Sequence, residues 1–446
     1  MTIAFFRSYL ALHDFHAEPF ILLLDCEIDR DIVVLNNRSQ FVAEATRLAL
    51  AACLLLSAPH IYADSIFNQL KDPSDGWFDV SDWVLNNAVG FMPVPIIITE
   101  PAVGEGLGLA ALFFHPPEGY TEEQSANAGI KVDEELPDIG PGIEADSEAG
   151  PVTDFVLPDV TAVAAAGTNN GTWLVGGGHF AHWKDDSVRY DGVIGYASIN
   201  MKFFGLPGFP DLTNGLDFNA EGLFIDQDIS WRLKDSYFFL GAGYTFLQVD
   251  ASFDLGQIIP GLPTIGRTSR QSGLGIFLAY DSRDTIFTPS SGTEAEISAT
   301  VNDKAIGSDF DYSRYDASLH KWWNPDPKWV PGLRFDLQYV DGDLPFYSVP
   351  FIELRGIPAL RYQGEAVAVA ETEVRWNFHP RVSAIGFLGI GVAAESFSDL
   401  DEAPSRATKG IGIRYMMARK LGMHVGIDVA QGPEDTYWYI QMGSAW

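Results

Sequence analysis

The last twelve residues of the chain, Asp435–Trp446, follow a pattern that few folds accommodate. Read with a period of two, this segment places Trp438, Ile440, Met442 and Trp446 on one face, with only the small Ser444 between the last two. Because neighbouring side chains on a strand point to opposite faces, the pattern predicts a strand with one apolar face that ends at Trp446. Such a strand at the end of a soluble sheet would be an open, adhesive edge, whereas a closed transmembrane barrel leaves no edge. The segment is therefore typical of the strand that closes a membrane-spanning β-barrel.

Strand patterns repeat along the chain from Phe91 onwards. The alternation is clearest in Leu333–Tyr339 and Met423–Val429. We predict sixteen strands, near 91–99, 105–115, 159–167, 172–184, 187–203, 216–232, 236–250, 270–280, 291–303, 309–323, 328–341, 365–378, 382–396, 406–418, 422–431 and 435–446. An even number of strands, most with about ten to sixteen residues, is typical of single-chain outer-membrane barrels. Alternation alone would also fit a soluble sandwich, but the terminal strand and the export signal described below favour an all-β fold, a single transmembrane antiparallel β-barrel over 91–446.

The lengths of the connections predict how the strands are oriented. If Trp446 lies in the periplasm, the connections after even-numbered strands are periplasmic, and most of them are short, as in K-D-S near 235 and H-P-R near 380. The connections after odd-numbered strands then face outside, and several are long, such as 251–269 and 342–364. Short inner turns and longer outer loops are the outer-membrane pattern.

One inner connection, 116–158, is long, acidic and rich in proline and glycine. A segment of this composition buries too little apolar surface to fold alone, which predicts a disordered periplasmic insertion. The alternative is a periplasmic docking or cation-binding segment.

Charge and composition exclude several classes of protein. The formal net charge is −32, and a nucleic-acid partner would require basic patches. No apolar run reaches the roughly 20 residues of a membrane-spanning helix. Acidic outer loops would suit bridging by divalent cations to lipopolysaccharide. Cys26 and Cys53 both precede the expected start of the mature chain, so no disulfide or cysteine metal site is expected, and no motif indicates a cofactor.

Residues 1–63 are interpreted as a signal peptide with an upstream extension. Arg47, the apolar core Leu48–Ala58 and the small residue Ala63 are the parts of a secretory signal, with cleavage before Asp64. The acidic stretch before Arg47 is foreign to such signals, so we expect translation to start further downstream. Leu50–Cys53 matches a lipoprotein box, but the apolar core continues past the cysteine, which favours a chain without a lipid.

Residues 64–90 are expected to form a short periplasmic segment with one helix. Asp79 or Ser81 is placed to cap that helix. Asp72, Asp75 and Asp79 also suggest a calcium loop, but the required D-x-D-x-D-G spacing is absent, which favours capping and turn formation.

Several short motifs after residue 270 resemble those of one family. The stretch Y-D-S-R-D-T-I-F-T-P-S-S-G-T at 280–293 is similar to the Y-D-x-R-D…P-x-x-G turn of the BamA/TamA-like outer-membrane barrels, the bacterial surface antigen family. L-R-G-I at 354–357 resembles the V/I-R-G-F/Y motif of that family's sixth outer loop. E-V-R-W at 373–376, G-I-G-I-R-Y at 410–415 and the aromatic C-terminus match as well.

The resemblance implies that the sixth outer loop folds into the lumen and that its motif arginine, here Arg355, pairs with acidic residues of the wall. Gly356 beside it permits a tight turn. Alternation along strand twelve points Glu373 and Glu371 inward, which makes Glu373 the best acceptor and Glu371 the second. On strand thirteen, Gly389 stands where the family has an aspartate. The alternative is that Arg355 is an ordinary lumen or loop arginine.

The resemblance also implies an inner-turn motif and a C-terminal assembly signal. The residues of the inner-turn motif are Asp281, Arg283, Asp284 and Gly292. The residues of the assembly signal are Trp446, Tyr439 and Gly443.

Three functions from different classes remain open. The first is a barrel for biogenesis or transport in the outer membrane of a Gram-negative bacterium, which works through the seam between strands 1 and 16 and through the inward loop. Pro93 and Pro95 would weaken that seam, because proline removes ladder hydrogen bonds. The second is a passive pore or structural surface protein without insertase activity. The third is an enzyme or adhesin; enzymatic activity is not expected, because no G-x-S-x-G elbow occurs.

The implied partners are outer-membrane lipid and lipopolysaccharide, and the outer-membrane assembly machinery during insertion. Family members that insert or translocate proteins usually carry POTRA repeats before the barrel. Roughly 27 residues separate Asp64 from Phe91, too few for one repeat, so we expect a POTRA-less member. The sequence names no substrate.

Overall fold

The computed structural model describes residues 70–81, 90–115, 159–184, 186–204, 215–254 and 263–446. The signal segment, the helix after Ser81 and the insertion 116–158 lie outside the described residues and stay predictions. Residues 70–81 and the sheet belong to two separate compact units of the chain.

In the smaller unit, aspartate side chains stabilise turns. Asp72 accepts hydrogen bonds from the backbone N–H and the hydroxyl of Ser74, at 2.8 and 2.7 Å. Asp79 accepts one from the backbone N–H of Ser81 at 2.7 Å. Contacts to a backbone N–H two residues further on are turn and cap contacts, which agrees with turn formation rather than a calcium loop. No group of metal-ligating side chains is clustered anywhere in the described ranges.

Sixteen strands form one antiparallel sheet in which each strand pairs with its neighbours in sequence. The strands are β1 Gly90–Ile98, β2 Gly106–His115, β3 Asp159–Thr168, β4 Trp173–Trp183, β5 Val188–Phe203, β6 Leu216–Arg232, β7 Phe238–Asp254, β8 Thr264–Asp281, β9 Gly292–Asn302, β10 Tyr312–Trp322, β11 Trp329–Gly342, β12 Ala366–His379, β13 Val382–Ala394, β14 Arg406–Ala418, β15 Met423–Gln431 and β16 Thr436–Met442. The predicted all-β barrel fold is confirmed.

Strand ends differ from the predicted ends in two regions. β7 continues to Asp254 and β8 begins at Thr264, so the outer connection between them is shorter than predicted. β16 ends at Met442, and the prediction that it continues to Trp446 is wrong. The cause is Gly443, whose φ of +83° is a left-handed conformation that interrupts the strand.

The outer face of the sheet is apolar and exposed. Ile276 on β8, Ile297 on β9 and Ile411 on β14 are 65%, 58% and 71% exposed. Side chains of this kind on every second position of a barrel strand are those that face lipid.

Aromatic pairs lie on this outer face toward both ends of the wall. Trp329 stacks on Trp376 with ring centroids 5.7 Å apart, and Trp173 packs on Tyr196 at 5.8 Å. Girdles of aromatic residues at the two levels are expected where a barrel wall meets the membrane interfaces. Across the described ranges, no helix is long and apolar enough to cross a membrane.

The interior holds loop 6, residues 343–365 between β11 and β12. Phe346, Tyr347 and Leu360 of loop 6 are buried in one cluster with residues of the wall. Phe218 and Phe253 pack around Phe346, with ring centroids 5.2 and 5.1 Å away. Sixteen-stranded barrels are wide enough to leave an aqueous channel, and here loop 6 occupies that space.

The opposite faces of β9 provide a test of which side meets lipid. Ile297 is at the middle of the strand on the outer face, and Ser298 beside it faces the lumen near Asp316. We expect Ile297→Arg to lower the free energy of unfolding in a bilayer by about 2–4 kcal/mol, the cost of an arginine at the bilayer midplane. Ser298→Arg is the matched control and should cost much less. Denaturant titration in lipid vesicles measures both; equal losses would contradict the assignment of faces.

Candidate functional site

The most deeply buried cation of loop 6 is Arg355, which is 1% exposed. Its guanidinium forms ion pairs with Glu371 on β12, with Glu373 Oε2 at 2.7 Å and with Asp428 Oδ2 on β15 at 2.8 Å. The guanidinium also lies over the ring of Phe387 on β13, 3.5 Å from its centroid. Arg355 therefore joins loop 6 to three strands of the wall, and the predicted acceptors Glu371 and Glu373 both contact it. We call Arg355 and its three carboxylate partners the loop lock.

Asp428 is the lock residue that sequence reasoning missed. It is fully buried and also pairs with Arg414 on β14, whose Nη2 lies 2.9 Å from Asp428 Oδ2. Gly412 and Gly426 leave room for this pair, because a Cβ at either position would lie 2.0 Å from Asp428 Oδ1 or from a backbone oxygen of β14. The sequence does show Asp428 as an acidic residue on the polar face of an alternating strand. The alternation does not show, however, that β15 contacts loop 6.

The glycine in place of the family's strand-thirteen aspartate has a packing role. A Cβ at Gly389 would lie 2.7 Å from Leu354 Cδ2, and a Cβ at Gly391 would lie 2.4 Å from Ile352 Cγ2. Both side chains of loop 6 are buried, at 2% and 1% exposure. Loop 6 thus packs directly on the β13 backbone, and Asp428 supplies the acidic group from a different strand.

Gly356 follows Arg355 with a φ of +99°, which favours glycine. Its backbone N–H donates to the hydroxyl of Tyr439 on β16 at 2.9 Å. A Cβ at Gly432 would lie 1.8 Å from the Gly356 oxygen, so the two backbones are in direct contact. The predicted loop motif and one residue of the predicted assembly signal are thus brought together.

The inner-turn motif forms a charged network where β8 meets β9. Arg283 Nε donates to Asp281 Oδ1 at 2.9 Å, and Arg283 also pairs with Glu294 at 2.8 Å. Asp284 accepts hydrogen bonds from the backbone N–H groups of Ser290 and Ser291. Gly292 has a φ of +106° and lies against this turn: a Cβ there would lie 2.2 Å from the Ser282 oxygen. The four predicted residues therefore shape one turn, residues 282–291, which we call the inner turn.

The inner turn reaches the opposite side of the barrel, which the sequence did not indicate. Thr285 Oγ1 donates to the Leu421 oxygen at 3.0 Å, and His424 N–H donates to Thr288 Oγ1 at 3.1 Å. Ser290 Oγ accepts a hydrogen bond from Arg375 of β12 at 2.7 Å. The inner turn thus lies across the lumen at the end opposite to the mouth that loop 6 enters.

The C-terminal residues also enter the lumen. After Gly443, Ser444 N–H donates to the Phe287 oxygen of the inner turn at 2.6 Å. Trp446 stacks on Trp322 at 5.1 Å, and its Nε1 donates to Glu371 Oε1 at 2.7 Å. The prediction that Trp446 lies on the outer apolar face is therefore wrong, because the left-handed Gly443 turns the chain inward. Its role as an assembly signal stays a prediction.

β1 and β16 are the two edges of the sheet, and their junction is called the seam below. No backbone ladder joins them in the part of the chain that the structure describes; a hydrogen bond from Ile440 N–H to Thr99 Oγ1, at 3.2 Å, crosses the gap. Pro93 and Pro95 both lie in β1. Proline is tolerated in a strand where its missing donor faces an open edge, so the composition of β1 agrees with an edge that is not laddered.

Comparisons with known proteins give one family match and several structural neighbours. Residues 232–353, which include the inner-turn motif, match the Omp85 superfamily domain. A search of curated proteins gave no match. CdiB from Escherichia coli aligns at 10% identity and a TM-score of 0.50 over 78% of this chain and 62% of that chain, so the chain spans less than two thirds of that protein. BamA from Haemophilus ducreyi lacking POTRA domains 1–3 aligns at 13% identity and a TM-score of 0.48, over 79% of this chain and 69% of that chain.

Restoring the family's aspartate tests how loop 6 packs on β13. We expect Gly389→Asp to destabilise the barrel by about 1–3 kcal/mol, because the new side chain overlaps Leu354 and overpacks the lumen. Leu354→Ala in the same chain should recover part of the loss by making room. Denaturant titration of the single and double variants measures this; a stabilising Gly389→Asp would contradict the packing described here.

Proposed function

We propose that this barrel, a BamA/TamA-like protein that carries an Omp85 superfamily domain, acts in biogenesis or transport at the bacterial outer membrane. In this proposal the seam between β1 and β16 opens during function, and the loop lock keeps loop 6 inside the lumen. The observation that carries the proposal is the combination of a filled interior with an edge pair that lacks a backbone ladder over the residues that the structure describes.

The filled interior argues against a permanently open pore. Tyr347, Phe351 and Leu360 of loop 6 are buried against the wall, and Arg355 is held by three carboxylates. The inner turn and Trp446 occupy the other end of the lumen. A passive pore needs a water-filled path, whereas a seam that opens sideways does not.

The composition of the seam supports lateral opening. Every other pair of neighbouring strands in the sheet is held by a backbone ladder, so separating two such strands would expose many unpaired backbone groups to lipid, at several kcal/mol for each group. The β1–β16 junction lacks that ladder within the described residues. It is therefore the junction that opens at the lowest free-energy cost.

The same proposal places the protein in the outer membrane of a Gram-negative bacterium, with lipid and lipopolysaccharide around it. The apolar outer face and the aromatic pairs support that placement. The outer-membrane assembly machinery is the proposed partner during insertion, with the C-terminal segment as its signal.

Covalent closure of the seam tests the function. Thr99→Cys and Ile440→Cys, in the full chain with Cys26 and Cys53 replaced by serine, can be joined by a reducible thiol crosslinker. We expect crosslinking to abolish complementation of a strain that lacks the gene, read as outer-membrane permeability and protein content, and reduction to restore it. The reason is that a joined seam cannot open.

The matched control joins Ala110→Cys on β2 to Ala164→Cys on β3, which are partners in a permanent ladder. This crosslink should leave complementation unchanged. Unimpaired complementation by the seam-crosslinked protein would contradict the proposal. An open conductance in planar bilayers that persists unchanged when residues 344–362 are deleted would identify a passive pore instead.

A further inference from the structure

We propose that residues 356–362 of loop 6 form a latch across the outer end of the seam. The latch holds together the two loops that flank it, residues 99–105 between β1 and β2 and residues 432–435 between β15 and β16. The inference rests on the proposed function only for the purpose that opening of the seam would serve. The contacts of the latch, which keep the two edges of the sheet together, do not depend on that purpose.

On the β1 side, loop 6 binds the 99–105 loop by a hydrogen bond and by apolar packing. Ala359 N–H donates to Glu100 Oε1 at 3.3 Å. Val103 is buried at 4% exposure in the same cluster as Leu360, and Ile98 at the end of β1 packs against that cluster. The first edge of the sheet is thus attached to loop 6, in addition to the hydrogen bond between Thr99 and Ile440 of β16.

On the β16 side, the same segment binds the 432–435 loop. Arg361 Nε donates to Glu434 at 2.8 Å, and Arg361 Nη2 lies 2.6 Å from the same carboxylate. The Tyr362 hydroxyl donates to Glu434 at 2.8 Å. Bidentate, charge-assisted hydrogen bonds from an arginine to a carboxylate are stronger than hydrogen bonds between neutral groups. The second edge is therefore attached to loop 6 as well.

Acidic residues from both sides of the seam lie near the latch. Glu100, on one side of the seam, and Glu434 and Asp435, on the other, all lie close enough to the Tyr437 hydroxyl to act on it. Like charges at this range repel. Arg361 of loop 6 also acts at this point, so its removal leaves these carboxylates with less positive charge close to them.

The carboxylate of Glu434 is ionised when the latch is closed. Hydrogen bonding from Arg361 holds the pKa of Glu434 below its ordinary value of 4.5, and the Tyr362 hydroxyl adds to this effect. Arg406 also attracts the carboxylate. The rings of Phe204 and Tyr362 lie 4.6 and 5.0 Å from the Arg361 guanidinium carbon and hold the arginine in place.

The latch couples the seam to the loop lock. Arg361 is six positions after Arg355 in the same loop, and Gly356 between them already contacts Gly432 and Tyr439. A movement that carries loop 6 out of the lumen would therefore release both flanking loops together. Conversely, an intact latch keeps the outer end of the seam closed while loop 6 is locked.

Spin-label distances across the seam test the latch. Labels at Pro101→Cys and Thr436→Cys, in the full chain with Cys26 and Cys53 replaced by serine, report the separation of the two edges in lipid nanodiscs. We expect Arg361→Glu and Glu434→Arg each to raise the population outside the wild-type distance peak about two- to five-fold, the range expected for loss of one partly exposed ion pair. The double exchange, Arg361→Glu with Glu434→Arg, should return the distribution to the wild-type peak.

Two variants serve as controls. Lys304→Glu makes the same change of charge in another exposed pair, Lys304–Asp311 at 2.8 Å, and should leave the distances unchanged. Glu434→Gln removes the charge with little change of shape, in case a reversal prevents folding. Single variants with the wild-type distribution, or a double exchange that fails to restore it, would overturn the latch. Loss of complementation by the seam crosslink would still stand in that case, so failure of the latch and failure of the proposed function are distinguishable.

Discussion

The buried guanidinium of Arg355 is the interaction on which the interior of this barrel depends. A buried charge is costly unless it is paired and hydrogen-bonded, and breaking a buried pair typically costs about 3–5 kcal/mol. Three carboxylates from two strands meet that requirement here. Glu371 and Asp428 are themselves buried, whereas Glu373 is partly exposed, so the two buried carboxylates depend on the cation as the cation depends on them. Loop 6 is therefore held where these charges are paired.

The other parts of the lumen converge on the same point. Trp446 donates to the Glu371 carboxylate that Arg355 also binds, and Arg414 shares Asp428 with Arg355. The inner turn is tied to the C-terminal residues and to β12. Loop, inner turn and chain end thus form one connected network. A change in the lock is expected to reach both the end of the lumen that holds the inner turn and the seam.

Alternation was sufficient to predict the strands and the faces, because the period of two is a local property of each strand. It also placed Glu371 and Glu373 inward, and with the loop motif it identified both as partners of Arg355. It could not find Asp428, because that contact joins segments far apart in the chain across the lumen. It failed at Trp446, where the conformation of one residue, Gly443, redirects the chain. The latch was likewise hidden, because Arg361 and Glu434 carry no motif.

A double-mutant cycle between Arg355 and Asp428 tests this account most directly. Arg355→Gln, Asp428→Asn and the double variant would be compared by denaturant titration in lipid, with Arg355→Gln combined with Asp311→Asn as a distant control pair. We predict a coupling free energy of about 1–3 kcal/mol for Arg355 with Asp428, and additivity within about 0.5 kcal/mol for the control. Additive losses for Arg355 and Asp428 would contradict the claim that this buried pair holds loop 6 in the lumen.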